Sequence, residues 1–326
     1  MTSPFMGGPE LSEEQFERVK HLFEEYSEGL NEEIRGFADA VGADSRQVVY
    51  NYVYLQIPSG GCSHIALTPA ITADGLAYVG RNYDFGWEEC TYILDTQIEG
   101  QYRHIGFACQ LFGRFDGMNE EGLCVTTSAG VIGPQYKEAG FVFPFVVRTL
   151  LGRCKNVQEA ADLLDKLPMA DYRNYIIMDK SGKALLVETA GSKMKMKWTG
   201  NDTKALYSTN HYNLLDNDQG IYEHSLRRYE SIRKYISDDK IAEDDLIGML
   251  SKPYPNGVCC QHYEDGMGTL WSMVMCPTKR EIKVCCGTPG YNEWNIVGFT
   301  DSPEEQEITV EFNNVPAAVN FWNKIE

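Results

Sequence analysis

The chain has 326 residues, 43% of them apolar, so it is long enough for one large domain or two small ones with a substantial buried core. Its 47 acidic and 29 basic residues give a net charge of -18, which repels nucleic-acid phosphates and anionic lipid. No early stretch looks like an export signal, and no segment approaches the roughly 20 apolar residues that span a bilayer. We therefore expect a cytoplasmic protein with neither nucleic acid nor membrane as a partner.

The ten cysteines are spread over a large chain, unlike the dense pattern of a small secreted disulfide scaffold. Two adjacent pairs, Cys259-Cys260 and Cys285-Cys286, with His262 near the first, raise zinc binding as an alternative. Zinc ligands are usually about two to four residues apart, and neighbours in a strand point to opposite faces. Reduced thiols that pack as small core residues are favoured, and we expect no metal.

The first part of the chain has a helical pattern. Apolar residues recur every three or four positions over residues 16–41, and glutamates fill most of the gaps. This spacing predicts an amphipathic helix, interrupted once near Gly29. A further helical stretch begins at a capping residue, Asp44 or Ser45, and "IPSGG" at 57–61 stops it.

Beyond residue 61 the sequence changes to short β-prone runs separated by turn signals. Three pairs of runs are predicted as β-hairpins, with turns at 73–75, 180–182 and 277–279. The segment "EITVEF" at 307–312 is predicted as a late strand.

Two helices interrupt these strands. One starts at Asn156, a good capping residue, and the other is "SLRRYESIRKYI" at 225–236. The apolar stripe of the second helix consists of Leu226, Tyr229, Ile232 and Ile236. Antiparallel strands with a few grouped helices predict an α+β architecture of packed sheets with helices outside. No glycine cluster forms a phosphate-binding loop before a helix, so no cofactor is expected.

Cys62, in "SGGCSHIAL", is either a buried structural thiol or a nucleophile. A thiol of pKa about 8.5 is only slightly ionised at neutral pH, so a nucleophile needs a group that takes its proton. His64 shares its face of a strand, but that spacing does not ensure contact. The other base is the cysteine's own α-amine, of pKa about 8, which exists only if the Gly61–Cys62 bond is cut. Glycine at 61 permits the strained backbone that attack on its own carbonyl requires.

Arg81 and Asp84, in "GRNYDF", lie on the second strand of the hairpin that begins at Cys62. The hairpin would bring them back beside the cysteine. A guanidinium near the sulfur favours the thiolate, and a carboxylate would hold the freed amine. A surface ion pair is the alternative interpretation.

The order of motifs makes the chain resemble a known family. A cysteine heading a strand is followed by "GRNYDF", "STNHY", "SLRRY" and "GTLWSMVMCPTKREIKVCCGTPGYNEW". In this order the motifs resemble those of the N-terminal-nucleophile (Ntn) hydrolases of the choloylglycine hydrolase and penicillin acyltransferase group. They span residues 62–294, and the helical stretch before them is similar to the pro-segment of the acyltransferase branch.

This resemblance implies a four-layer αββα fold, with two antiparallel sheets between helical layers. It implies a helical pro-segment at 1–61 and a catalytic domain at 62–326, separated by autocatalytic cleavage. It also implies that Cys62 is the nucleophile and its α-amine the general base.

Further site residues follow from the same resemblance. Arg81 and Asp84 would set the state of the nucleophile. Asn210 in "STNHY" would help hold the oxyanion, with a strand-end asparagine as the alternative. Arg228 in "SLRRY" matches an active-site arginine, although a solvated arginine, or assignment to Arg227 instead, stays open.

The sequence departs from the bile-salt branch at one position. That branch usually places a second asparagine after "GMNEEGL", where this chain reads "CVTTSAG". Ser128 or a backbone N–H are candidates to replace it. This difference and the long segment before Cys62 argue against a bile-salt hydrolase in the strict sense.

The first functional hypothesis is a linear amide hydrolase or acyltransferase that works through a Cys62 thioester. The alternative is an amidase that resembles bile-salt hydrolase or penicillin V acylase. The hypothesis from a different functional class is a non-catalytic binding or scaffold protein with the same fold. The partner would be a small-molecule amide or acyl substrate, and a homo-oligomer is left open. Six aromatic residues are candidates for lining an apolar pocket, although aromatic residues at such spacing more often belong to the core. They are Tyr83, Phe85, Trp87, Phe141, Phe143 and Phe145.

Overall fold

A computed structural model describes most of the chain. The described residues are 10–51, 61–86, 91–108, 112–130, 140–218, 220–236, 240–300 and 307–325. The predicted "IPSGG" helix end, apart from Gly61, and Trp87 lie outside these ranges.

Helices and strands are numbered along the chain. The helices are α1 (Glu13–Tyr26), α2 (Leu30–Val41), α3 (Ser45–Val49), α4 (Phe143–Arg153), α5 (Val157–Leu164), α6 (Glu223–Tyr235) and α7 (Glu243–Ser251). The strands are β1 (Gly61–Leu67), β2 (Tyr78–Phe85), β3 (Tyr92–Thr96), β4 (His104–Ala108), β5 (Gly117–Asn119), β6 (Cys124–Ala129), β7 (Tyr172–Met178), β8 (Ala184–Ala190), β9 (Lys193–Trp198), β10 (Ala205–Ser208), β11 (Ile221–Tyr222), β12 (Gln261–His262), β13 (Met267–Cys276), β14 (Glu281–Cys286), β15 (Asn295–Gly298) and β16 (Lys324–Ile325).

Two large antiparallel sheets form the centre of the molecule. The first has the order β10-β1-β2-β13-β14-β15, with β12 added to β13, and the second runs from β3 to β9 in chain order. Helices α6 and α7 pack on the first sheet, α4 and α5 pack on the second, and β1 faces β6 and β7 across the interface. This is the predicted αββα sandwich. None of the helices in the described ranges combines the length and the apolar character needed to cross a membrane.

The first predicted hairpin is confirmed, and its register assigns its side chains to two different layers. Strands β1 and β2 pair antiparallel, with Cys62 opposite Tyr83. Side chains alternate along a strand, so Cys62 and Ala66 enter the core between the sheets, whereas Ile65 and Leu67 pack with α6 and α7. The cysteine therefore points toward the other sheet.

The predicted N-terminal helices are present where the structure describes them. Helices α1 and α2 are separated at Gly29, whose φ of 84° is readily accessible only to glycine. Ser12 caps α1 with a capping box, and Asp44 caps α3 in the same way.

These helices pack on α4 and share its core. The Phe23 ring of α1 lies 5.9 Å from Phe141 and 5.0 Å from Phe145, and the Ser27 hydroxyl lies 2.5 Å from that of Thr149. The boundary at residue 61 stays a prediction, but α1 and α2 are packed into the core of the sandwich.

Helix α4 was not predicted, because its sequence carries no amphipathic stripe. Its residues from Phe143 to Gly152 are all buried, and a helix buried on every side has no polar face to reveal its period. Phe141, Phe143 and Phe145 are likewise core residues. The structure therefore favours the core interpretation of these three aromatic residues over a pocket.

The other two predicted hairpins are present as β7–β8 and β13–β14. The prediction of a late strand at 307–312 is wrong. That segment has no strand structure. Its backbone is held by isolated bonds, such as those between Asn292 and Glu311, instead of a continuous ladder.

The paired cysteines are mostly core residues. Cys259, Cys260 and Cys285 are buried, and Cys286 is half-buried. Within the described ranges, no group of three or more potential ligands is placed to hold a metal ion.

The shared core predicts the effect of truncating Phe23. We expect Phe23→Ala to lower the free energy of unfolding by about 3–5 kcal/mol, because a buried ring would leave a cavity. Urea denaturation followed by circular dichroism measures the change. The control Glu24→Ala alters an exposed neighbour on the same helix and should stay within about 0.5 kcal/mol. Equal effects of the two substitutions would contradict a common core.

Candidate active site

The thiol of Cys62 lies beside a buried arginine between the two sheets. Cys62 is 4% exposed, and Nη2 of Arg81 lies 3.8 Å from its Sγ. Burial raises the pKa of the Cys62 thiol, and the charge of Arg81 is the strongest influence lowering it. The sequence correctly predicted that the hairpin brings Arg81 to the sulfur.

Asp116 holds Arg81 in this position and was not identified from the sequence. Its Oδ2 lies 2.5 Å from Nε of Arg81 and accepts a bond from Trp271 Nε1 at 3.1 Å. Nη1 of Arg81 donates to the carbonyl of Thr127. Asp116 stands just before β5, on the other sheet, so only the packing of the sheets reveals this pair.

Asn210 contacts the backbone nitrogen of Cys62. Its Oδ1 accepts from Cys62 N at 2.9 Å and from Arg228 Nη2 at 2.7 Å. Both partners are donors, which fixes the orientation of the amide. One N–H of its Nδ2 donates to the Ala129 carbonyl at 3.1 Å. The oxyanion role stays a prediction, and the structure adds a contact to the nitrogen that cleavage would turn into an α-amine.

Two buried groups anchor the segment around Asn210. The Asn210 N–H donates to Ser225 Oγ of α6 at 2.8 Å. The Glu188 carboxylate of β8 accepts from the backbone N–H groups of Asn213, Leu214 and Leu215 at 2.6–2.9 Å. Residue 210 is therefore positioned by a helix of one layer and a strand of another.

Arg228, not its neighbour Arg227, is the arginine of the site. Arg228 is fully buried, whereas Arg227 is exposed and paired with Glu223. Nη1 of Arg228 donates to the Cys62 carbonyl at 2.6 Å and to Ser63 Oγ at 2.9 Å. The apolar stripe predicted for α6 did not indicate that position 228 is buried. Two members of that stripe, Leu226 and Tyr229, are themselves only half-buried.

Asp84 lies on the opposite face of the hairpin from the thiol. It pairs in register with Gly61, its Oδ1 accepts from Thr269 Oγ1 at 2.6 Å, and its Oδ2 lies 3.6 Å from Nη1 of Arg228. Burial raises the pKa of the Asp84 carboxyl, and Arg228 is the main influence lowering it. Asp84 is therefore next to the Gly61–Cys62 peptide bond, while Arg81 is next to the sulfur.

Gly61 has no room for a side chain. A Cβ built at this position would lie 1.8 Å from Met267 Cε and 3.0 Å from Asp84 Oδ2. The glycine before Cys62 thus allows the close approach of the Asp84 carboxylate.

His64 and Ser128 are engaged elsewhere. Nδ1 of His64 lies 2.8 Å from Thr126 Oγ1, and burial together with Arg81 lowers the pKa of His64 well below its ordinary value. Ser128 donates to the Thr209 carbonyl and accepts from Asn174. The structure thus places all five predicted site residues together, whereas the contacts of His64 and Ser128 are with other groups.

A comparison with protein families shows which family the chain belongs to. Residues 71–291, more than half of the chain, match the family described as acyl-coenzyme A:6-aminopenicillanic acid acyl-transferase. The chain belongs to this acyl-transferase family. The matched range begins after Cys62, so the role of the cysteine does not follow from the match.

Solved structures show the same fold as this member of the acyl-transferase family. A mutant conjugated bile acid hydrolase from Clostridium perfringens is 16% identical, with a TM-score of 0.55 over 78% of this chain and 99% of that chain. An N-acylethanolamine-hydrolyzing acid amidase ortholog from Caenorhabditis elegans is 18% identical, with a TM-score of 0.51 over 67% and 93%. Comparison with curated proteins finds no match. The predicted Ntn family and sandwich fold are confirmed.

The position of Arg81 predicts a change in the titration of Cys62. We expect Arg81→Gln to raise the pKa of the Cys62 thiol by about 1–2 units, because the thiolate loses a neighbouring positive charge. The rate of Cys62 alkylation by iodoacetamide as a function of pH, followed by peptide mass spectrometry, measures the shift.

Arg81→Lys keeps the charge and should titrate closer to the wild type, and Arg227→Gln removes an exposed charge and should not shift the curve. Circular dichroism confirms that each variant is folded. An unchanged profile in folded Arg81→Gln would show that Arg81 does not stabilise the thiolate.

Proposed function

We propose that the protein is a linear amide hydrolase or acyltransferase whose nucleophile is Cys62. The observation that carries this proposal is the set of contacts around one residue. The thiol, the backbone nitrogen and the carbonyl of Cys62 each contact a different buried side chain: Arg81, Asn210 and Arg228. Buried backbone groups always need partners, but a cysteine that only fills the core has no need of a guanidinium beside its sulfur.

In the proposed reaction the Cys62 thiol gives its proton to the α-amine and its sulfur attacks the amide carbonyl carbon. A C–S bond forms, and hydrogen-bond donors hold the oxyanion, for which Asn210 is the predicted donor. The intermediate collapses with loss of the C–N bond, and the α-ammonium gives the proton to the leaving amine. Water or an acceptor amine then attacks the thioester, which makes the protein a hydrolase or a transferase.

We also propose that the Gly61–Cys62 bond is cut by the same cysteine, in a step that precedes the formation of the α-amine. The Cys62 sulfur attacks the Gly61 carbonyl carbon and forms a C–S bond, the peptide C–N bond breaks as the proton lost by the thiol is returned to the nitrogen, and water hydrolyses the resulting thioester and releases the N-terminal segment. Asp84 lies beside this bond, and burial raises the pKa of its carboxyl, which helps an otherwise ionised carboxylate to take up a proton and pass it to the nitrogen. After cleavage, Asn210 Oδ1 and Asp84 would hold the new α-amine.

The N-terminal segment would stay bound after cleavage, because it packs into the shared core. Arg148 of α4 pairs with Glu33 of α2, and Arg153 donates to the carbonyls of Glu25 and Tyr26. These bonds do not depend on the covalent link at residue 61.

A bile-salt hydrolase in the strict sense is less well supported. Where that branch has its second asparagine, this chain has no asparagine in "CVTTSA", and Ser128 is engaged with Thr209. We therefore do not assign a steroid-conjugate substrate.

Intact-mass spectrometry of purified protein tests the cleavage. We expect two species, which correspond to residues 1–61 and 62–326, from the wild type, and one uncut species from Cys62→Ala. Cys276→Ala, at another buried cysteine, is the matched control and should be cut like the wild type.

A single uncut wild-type species that hydrolyses amides would contradict autocleavage and leave an intact cysteine hydrolase. Cleavage in Cys62→Ala equal to that in the wild type would overturn the role of Cys62 itself.

A further inference from the structure

Arg173 is a third arginine near the site, and it differs from Arg81 and Arg228 in being partly open to solvent. It lies at the start of β7, and its side chain is 11% exposed, compared with 0% for the other two. Its guanidinium covers the ring of Phe143 at 3.7 Å, and its Nε lies 3.8 Å from Asp171 Oδ2.

These two contacts orient the guanidinium, and neither of them takes up its terminal nitrogens. Phe143 covers one face, and Asp171 lies on the Nε edge at a distance beyond a hydrogen bond. Asp171 is itself bonded by the Phe143 N–H and by Tyr175 Oη at 3.3 Å. Among the described residues, no hydrogen bond is made by the guanidinium of Arg173, although such a fork of N–H donors matches a carboxylate.

Two sets of contacts connect Arg173 with Cys62. Arg173 pairs in register with Ala129, whose carbonyl is bonded by Asn210, and Asn210 is bonded by Cys62 N. Phe143, beneath the guanidinium, lies 4.8 Å from Phe115. Phe115 in turn lies 5.5 Å from Tyr83, the residue opposite Cys62 in the first hairpin. In agreement with this geometry, the charge of Arg173 lowers the pKa of the Cys62 thiol.

The protein as a whole disfavours anionic ligands, since its net charge is -18. A site that accepts an anionic substrate therefore needs a local cation that is accessible. Arg81 and Arg228 are paired with Asp116 and Asp84 and bonded to backbone carbonyls of the site, whereas no described residue accepts a hydrogen bond from the guanidinium of Arg173.

We propose that Arg173 binds a carboxylate of the substrate, so that the amides processed at Cys62 are those that carry a carboxylate close to the scissile bond. This inference rests on the proposed function. The carboxylate could belong to the acyl half or to the amine half of the amide, and the same guanidinium would bind either.

Two alkylating reagents of similar size test the recognition directly. Iodoacetate carries a carboxylate and iodoacetamide is neutral, and with both the Cys62 thiolate forms a C–S bond as iodide leaves. We compare the ratio of their rates at Cys62, measured by peptide mass spectrometry, in the wild type, Arg173→Gln, Arg173→Lys and Arg227→Gln. The iodoacetamide rate corrects for any change in the fraction of thiolate.

We expect Arg173→Gln to lower the ratio of the iodoacetate rate to the iodoacetamide rate by about fivefold, the effect of one charge at close range in a partly screened site. Arg173→Lys should keep part of the preference, and Arg227→Gln, which removes an exposed arginine, should keep all of it. An unchanged ratio in Arg173→Gln would overturn the inference. Failure of both reagents to label Cys62 in the wild type would instead contradict the proposed nucleophile.

Protection of Cys62 from iodoacetamide identifies the half of the amide that carries the charge. Better protection by N-acetylglycine than by neutral N-acetylglycinamide assigns the carboxylate to the amine half. Better protection by glutaramate than by neutral glutaramide assigns it to the acyl half. Equal protection within both pairs would count against the proposal.

Discussion

The burial of ionised groups around Cys62 is the constraint on which the rest of the structure depends. Arg81, Asp84, Asp116 and Arg228 are all fully buried. Removing each charge from water costs several kcal/mol, and breaking a buried pair leaves an uncompensated charge. The pairs Arg81–Asp116 and Arg228–Asp84 are therefore required for these side chains to be buried in the folded protein. One joins the two sheets and the other joins a sheet to α6, so the layers must assemble for the charges to be satisfied.

The alternation of side chains along β1 and β2 divides the chemistry between the two faces of one hairpin. The face toward the second sheet holds the Cys62 thiol and Arg81, and the face toward α6 holds Asp84. The sulfur thus has a cation beside it, while the peptide bond before it has a carboxyl beside it. The proposed nucleophile and the proposed cleavage site can therefore belong to one residue, because their surroundings lie on opposite sides of the sheet.

The sequence predicted the parts of this arrangement that depend on local pattern or on motif order. The hairpin that carries Cys62 and Arg81 followed from β-prone runs and turn signals, and Asn210 and Arg228 followed from the resemblance. Asp116 and Glu188 could not be found in this way, since each acts on residues far away in the chain and neither lies in a recognisable motif. Helix α4 was missed because a fully buried helix has no amphipathic period, and the β-prone composition of 307–312 was overridden by tertiary contacts.

The central claim is that Cys62 carries the acyl group, and mass spectrometry after reaction with an activated acyl donor tests it most directly. The account predicts one acyl group per chain, located on the Cys62 peptide and released by hydroxylamine as expected for a thioester. Acylation spread over the other nine cysteines of the chain, or absent from Cys62 in folded protein, would contradict the account.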